Sequence, residues 1–157
     1  MRKQPAIETQ SAPSPAKQLP ILSVSPNEED HQLLQAVFGH TKWLLFKAPD
    51  LATAVELLRE HDIAVLLCER DLLLGTWTDV LEHVQTLPNA PSLIVTSRLA
   101  DDRLWLEALN LGAWDVLLKP FDRLEVIRSV KSARQHRHDQ IHVRGEAVKG
   151  LGASATG

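Results

Sequence analysis

Short apolar runs alternate along this chain with longer stretches of helical period. The runs Ile21–Val24, Trp43–Phe46, Ala64–Cys68, Ser92–Thr96 and Trp114–Leu118 are largely apolar at successive positions, the pattern of strands covered on both faces. Each is followed by a segment with a helix start. Asn27 precedes EEDHQLLQAVF, whose first-turn acids favour the helix dipole and whose Leu34, Val37 and Phe38 share a face. Asp50 is placed to cap a helix with Leu51, Ala54, Val55 and Leu58 inward. Thr76 or Gly75 opens a third, with Trp77, Val80, Leu81 and Val84 inward. Asp101 opens a fourth with Leu104, Ala108 and Leu111 inward and Gly112 as its stop, and Asp122 opens a fifth with Ile127 and Val130 inward.

Five strand–helix units of this kind predict an α/β fold, a doubly wound five-stranded parallel sheet. Right-handed crossovers bring every strand-to-helix loop to one edge of such a sheet, where ligands bind. Ser25, Glu69, Thr96 and Lys119 all fall at that edge. A hydroxyl pair, a carboxylate and an ammonium converging there could receive an anion or a transferred phosphoryl group.

Composition narrows the class. The chain has 157 residues, 44% hydrophobic and 24% charged, enough for one core with a soluble surface. Residues 1–18 are rich in Pro, Ser and Gln without apolar period and read as a disordered leader; 19–136 form the domain; 137–157, rich in Gly and Ala, read as a flexible tail. No run approaches the roughly 18 apolar residues of a membrane span, and nothing resembles a secretion signal. Cys68 is the only cysteine, so no internal disulfide forms and a reducing cytoplasm fits. The net charge of −3 hides a body, 19–130, with 9 basic and 17 acidic residues, net −8. That balance argues against a nucleic-acid surface.

PSLIVTS followed by LNLGAWDVLLKPF resembles the second half of a response-regulator receiver domain, and ILSVSPNEED and VLLCERDLLLG stand where its first and third strands would. The resemblance covers about residues 19 to 136. It implies the flavodoxin-like topology with strand order 2-1-3-4-5, and a cis bond at Lys119-Pro120. It also implies an acceptor aspartate after strand three, modified by a sensor histidine kinase, and an acid pair after strand one that holds Mg²⁺. A switch Thr or Ser after strand four and a lysine after strand five complete the set. By position the acceptor is Glu69, the acid pair Ser25 and Pro26, the switch residue Thr96 and the lysine Lys119.

The departures fall on the chemistry. Ser25 and Pro26 supply no carboxylate, Asn27 offers only an amide oxygen, and Mg²⁺ requires hard anionic oxygens. Glu69 lengthens the acceptor arm by a methylene, and about 1 Å of misplacement can cost ~100-fold. The expectation is a stand-alone degenerate receiver without cofactor or metal and without enzymatic activity, binding a histidine kinase or other signalling protein independently of phosphorylation. The alternative is a working phosphoacceptor modified at Asp71 or Glu69. A third reading, a flavodoxin-like enzyme or nucleotide binder, finds no Gly-rich phosphate loop.

Two further features stand out. HRHDQIH places His138 and His142 at metal-pair spacing, but beside Arg134 and Arg137 at a helix end it reads as cations favouring the dipole. Trp105, Leu106 and Leu109 widen the apolar surface of the fourth helix. Trp105 either packs near Trp114 or, with Leu109, faces a protein partner.

Overall fold

The structure, a computed structural model, describes residues 18–99 and 101–156, with side chains described to Glu146. Apart from Gln18, the expected leader lies outside these residues. The elements are β1 (Pro20–Val24), α1 (Glu28–Phe38), β2 (Leu44–Ala48), α2 (Leu51–Glu60), β3 (Val65–Glu69), α3 (Trp77–Val84), β4 (Ser92–Ser97), α4 (Asp102–Leu111), β5 (Asp115–Leu118) and α5 (Arg123–Thr156). The strands form one parallel sheet, as the sequence pattern implies, in the order β2-β1-β3-β4-β5 that the resemblance implies.

Alternation along each strand sends side chains to two cores. Leu22, Val24, Leu66, Cys68, Leu93 and Val95 pack on one face beneath α2, α3 and α4. Ile21, Val65, Leu67, Ile94 and Leu117 pack on the other beneath α1 and α5. Each such side chain contributes about 1.5–3 kcal/mol by leaving water.

The helix starts are built as read. Asp50 Oδ1 accepts from the Thr53 amide at 2.8 Å, Asp101 Oδ1 from Leu104 at 2.9 Å, and Asp122 Oδ1 from Glu125 at 3.0 Å. Thr76 and Asp79 cap α3 reciprocally. Asn27 is the exception: its side chain makes no cap bond, and its own amide donates to Ser25 Oγ at 3.1 Å.

Four expectations are corrected. Trp43 and Trp114 precede their strands; Trp43 meets Phe38 edge-on at 5.3 Å and Trp114 stacks on His136 at 4.3 Å. Leu111 is exposed, because α4 ends there and Gly112, at φ 113°, turns the chain so that Ala113 takes the interior place. In α5 Val126, Val130 and Ala133 are buried while Ile127 is half-buried. Finally, α5 does not stop at 136 but runs helical to Thr156. Its extension is tied to distant loops: Arg137 Nη2 donates to Asp62 Oδ1 at 2.5 Å and to Asn89 O at 3.1 Å, and Arg144 donates to Pro88 O.

Candidate functional site

At the carboxyl edge of the sheet four strand ends and one helix start deliver a single ionic cluster. Ser25 follows β1, Glu69 ends β3, Thr96 lies opposite it in the β4 register, and Lys119 follows β5 with its amide bonded to Ser97 O at 2.9 Å. The Lys119-Pro120 peptide is cis, as the resemblance implies. Lys119 Nζ lies 2.7 Å from Glu69 Oε2, and the same oxygen accepts from Thr96 Oγ1 at 3.1 Å. Thr96 is therefore turned inward and buried.

The cluster has a member that sequence reasoning missed. Asp30, in the first turn of α1, is buried, and its Oδ2 accepts from Lys119 Nζ at 2.9 Å and from Ser25 Oγ at 2.6 Å. One ammonium thus bridges two carboxylates, with side chains only 4% (Lys119), 5% (Asp30) and 12% (Glu69) exposed. His31, also buried, supports the β1–α1 loop from beneath: its Nε2 contacts Ser25 O and its Nδ1 contacts Ser23 Oγ, both at 2.9 Å. Because a carbonyl can only accept, Nε2 carries a proton. Cys68, behind Glu69, has its thiol pushed well up by burial and then by the Glu69 charge, which keeps it protonated and inert.

The other sequence candidates are set apart from this cluster. Pro26 and Asn27, with Glu69, Lys119, Asp71 and Leu73, line an open pocket of about 400 Å³. Asp71 pairs with its neighbour, accepting from Arg70 Nε at 3.0 Å and Nη2 at 2.8 Å, and that pairing holds the guanidinium above its ordinary pKa. Trp105 (43% exposed), Leu106 and Leu109 form an apolar patch on α4, while Leu104 and Ala108 are buried beneath. His138 and His142 stack with centroids 6.5 Å apart, and His142 Nε2 faces Glu146 Oε1 at 3.3 Å. A larger groove of about 550 Å³, bordered by Leu44, Phe46, His61 and Arg137, contains none of the clustered groups. No helix among the described residues is long and apolar enough to cross a membrane.

Comparison with known proteins agrees with this geometry. Residues 21–131 match the model of the response regulator receiver domain. The chain is 32% identical over 101 residues to a protein-glutamate methylesterase/protein-glutamine glutaminase of Desulfotalea psychrophila, covering 63% of the chain and 26% of the relative. It is 27% identical over 107 residues to the sensory transduction protein LytR of Staphylococcus saprophyticus, covering 68% and 41%. The chain thus spans about a quarter and two fifths of the length of these curated relatives. Among solved structures, the receiver domain of an HD domain-containing protein from Pseudomonas fluorescens superposes with a TM-score of 0.71 at 24% identity, covering 78% of this chain and 98% of that one. The receiver domain of a LuxO repressor protein from Vibrio parahaemolyticus gives 0.74 at 17% identity, covering 80% and 97%.

Proposed function

The chain belongs to the response-regulator receiver domain family of two-component signalling, and we propose that it acts there as a phosphorylation-independent protein-binding module, with Glu69 in the phosphoacceptor place. The observation that carries this reading is the contact of Glu69 Oε2 with both Lys119 Nζ and Thr96 Oγ1. The lysine and the switch hydroxyl, which in the family engage a transient phosphoryl group, are already engaged by a permanent carboxylate. The mimicry is partial in charge, since a phosphoryl group brings about −1.5 to −2 and three oxygens. In geometry it suffices to bring Thr96 inward.

The donor set does not suit Mg²⁺. The Pro26 side chain has no donor atom, the Ser25 hydroxyl is spent on Asp30, and the position between the two carboxylates holds the Lys119 ammonium. Mg²⁺ binds through one or two carboxylates and retained waters in near-ideal octahedral array, and both carboxylates here are committed to Lys119. Incubation with Mg²⁺ and radiolabelled acetyl phosphate is expected to leave no base-labile label, and millimolar Mg²⁺ to leave the amide shifts of Ser25 and Glu69 in place. Label at Glu69 or Asp71 would establish the working-acceptor alternative instead; Asp71 is the more accessible, with a side chain 62% exposed.

The signal then passes through a surface, and the α4 patch offers a tryptophan anchor of the kind that dominates protein interfaces. Trp105→Ala is expected to weaken capture of the signalling partner by at least ~30-fold, the equivalent of about 2 kcal/mol. Because the ring is half outside the fold, the urea midpoint should move little. Equal losses of binding and of folding would remove the patch from consideration.

A further inference from the structure

The proposed reading assigns the closed state of the pocket to Glu69. The distances assign it to two residues. Asp30 Oδ2 holds Lys119 Nζ at 2.9 Å, close to the 2.7 Å of Glu69, and also anchors Ser25 Oγ. We infer that Asp30 is a second, independent clamp on Lys119, so that the pocket is locked twice and is closed to anions even when Glu69 loses its charge. This deepens the proposed function and rests on it.

The charge count explains why the second clamp matters. Two carboxylates face one ammonium in a site nearly sealed from water, leaving an excess of one negative charge. An incoming phosphoryl or phosphate group would meet that excess at short range and low effective dielectric, where like charges repel strongly. It would also find Lys119 already committed on two sides. Neutralising Glu69 alone leaves a one-to-one Lys119–Asp30 pair, which still occupies the ammonium. Neutralising Asp30 alone leaves Lys119–Glu69. Only removal of both charges frees the cation to receive an anion.

Asp30 also couples elements that Glu69 does not reach. It stands on α1, ties the hydroxyl at the end of β1 and grips the residue after β5, 89 positions away. Its role is positioning: it fixes Lys119 and the β1–α1 loop.

The test uses Asp30→Asn, Glu69→Gln and the double variant of the full chain, with two readouts. The first is the ¹H–¹⁵N signal of the Lys119 ammonium, visible when a buried, ion-paired lysine exchanges its protons slowly. It should persist in both single variants; loss in either one alone would show a sole clamp and overturn the inference. The second is titration with inorganic phosphate followed by the amide shifts of Thr96 and Lys119. Saturable millimolar binding should appear in the double variant, with at least ~10-fold weaker response in the native chain and both singles. Phosphate binding by a single variant, or a folded double variant that binds none, would equally overturn it. Should the double variant not fold, the ammonium signals of the singles decide. Base-labile label on Asp71, which pairs with Arg70 outside the cluster, would refute the proposed function while leaving these signals unchanged, so the two failures are distinct.

Discussion

Replacing Lys119 with methionine is expected to lower the stability of the domain by about 3–5 kcal/mol, the cost of breaking a buried ion pair from one side. The side chain is of similar length and apolar, so little packing is lost. What remains is Asp30 and Glu69, both nearly sealed from water, facing one another without a cation. Each retains one hydrogen bond, from Ser25 Oγ and Thr96 Oγ1 respectively, and neither bond neutralises a charge. Urea denaturation should show a lower midpoint with an unchanged slope. Glu69→Gln supplies the contrast: it leaves one carboxylate on one ammonium, and its midpoint should shift far less. A Lys119→Met protein as stable as the native one would mean that the ionic cluster is solvated and has no part in holding the sheet edge together.

The same cluster shows where sequence reading reaches and where it stops. Strand positions, helix caps and the Gly112 stop are local signals: an apolar run, an Asp three residues before an amide, a residue that tolerates positive φ. Apart from the Asn27 cap and the strand starts at Trp43 and Trp114, they survive folding because neighbours in the chain decide them. Glu69, Thr96 and Lys119 were legible because each ends or directly follows an apolar run, and topology alone brings those ends together. Asp30 was not. In sequence it is one of three successive acids in the first turn of a helix, a pattern that dipole and solvation account for fully. Its burial is decided by Lys119, 89 residues away. The signal that could have exposed it is its place one turn before Leu34, on the inward face.

The end of the fold departs from the sequence expectation for a related reason. Glycines at 145, 150 and 152 each weaken an isolated helix by about 1 kcal/mol, so local propensity argues for a loose tail beyond 136. Tertiary bonds from Arg137 and Arg144 to Asp62, Asn89 and Pro88 fasten the helix as far as the first of these glycines. Likewise the apolar width of α4 announced a surface without saying which side of it faced out. The structure sends Leu104 inward and Trp105 outward, a single residue step of about 100° on the helix.

Trp77→Ala is expected to cost about 3–5 kcal/mol, the range for removing a large aromatic from a packed core. Trp77 is 1% exposed and sits among Leu66, Cys68, Val80 and other apolar side chains beneath α3. Its position also links core to site. Its amide donates to Arg70 O at 2.9 Å, while Arg70 donates its own amide to Thr96 O at 2.9 Å, so the backbone held in place by the buried ring ties the loop that follows Glu69 to the strand that carries Thr96. Loss of the indole should therefore do more than lower the urea midpoint. Amide exchange at Arg70 and Trp77 should quicken by more than the global destabilisation requires, as the loop opens locally ahead of the sheet. Trp105→Ala, at a half-exposed ring, should leave the same amides protected. If Trp77→Ala costs less than about 1 kcal/mol, or if the two substitutions open the loop equally, the α3 tryptophan is not the anchor of the site-bearing loop.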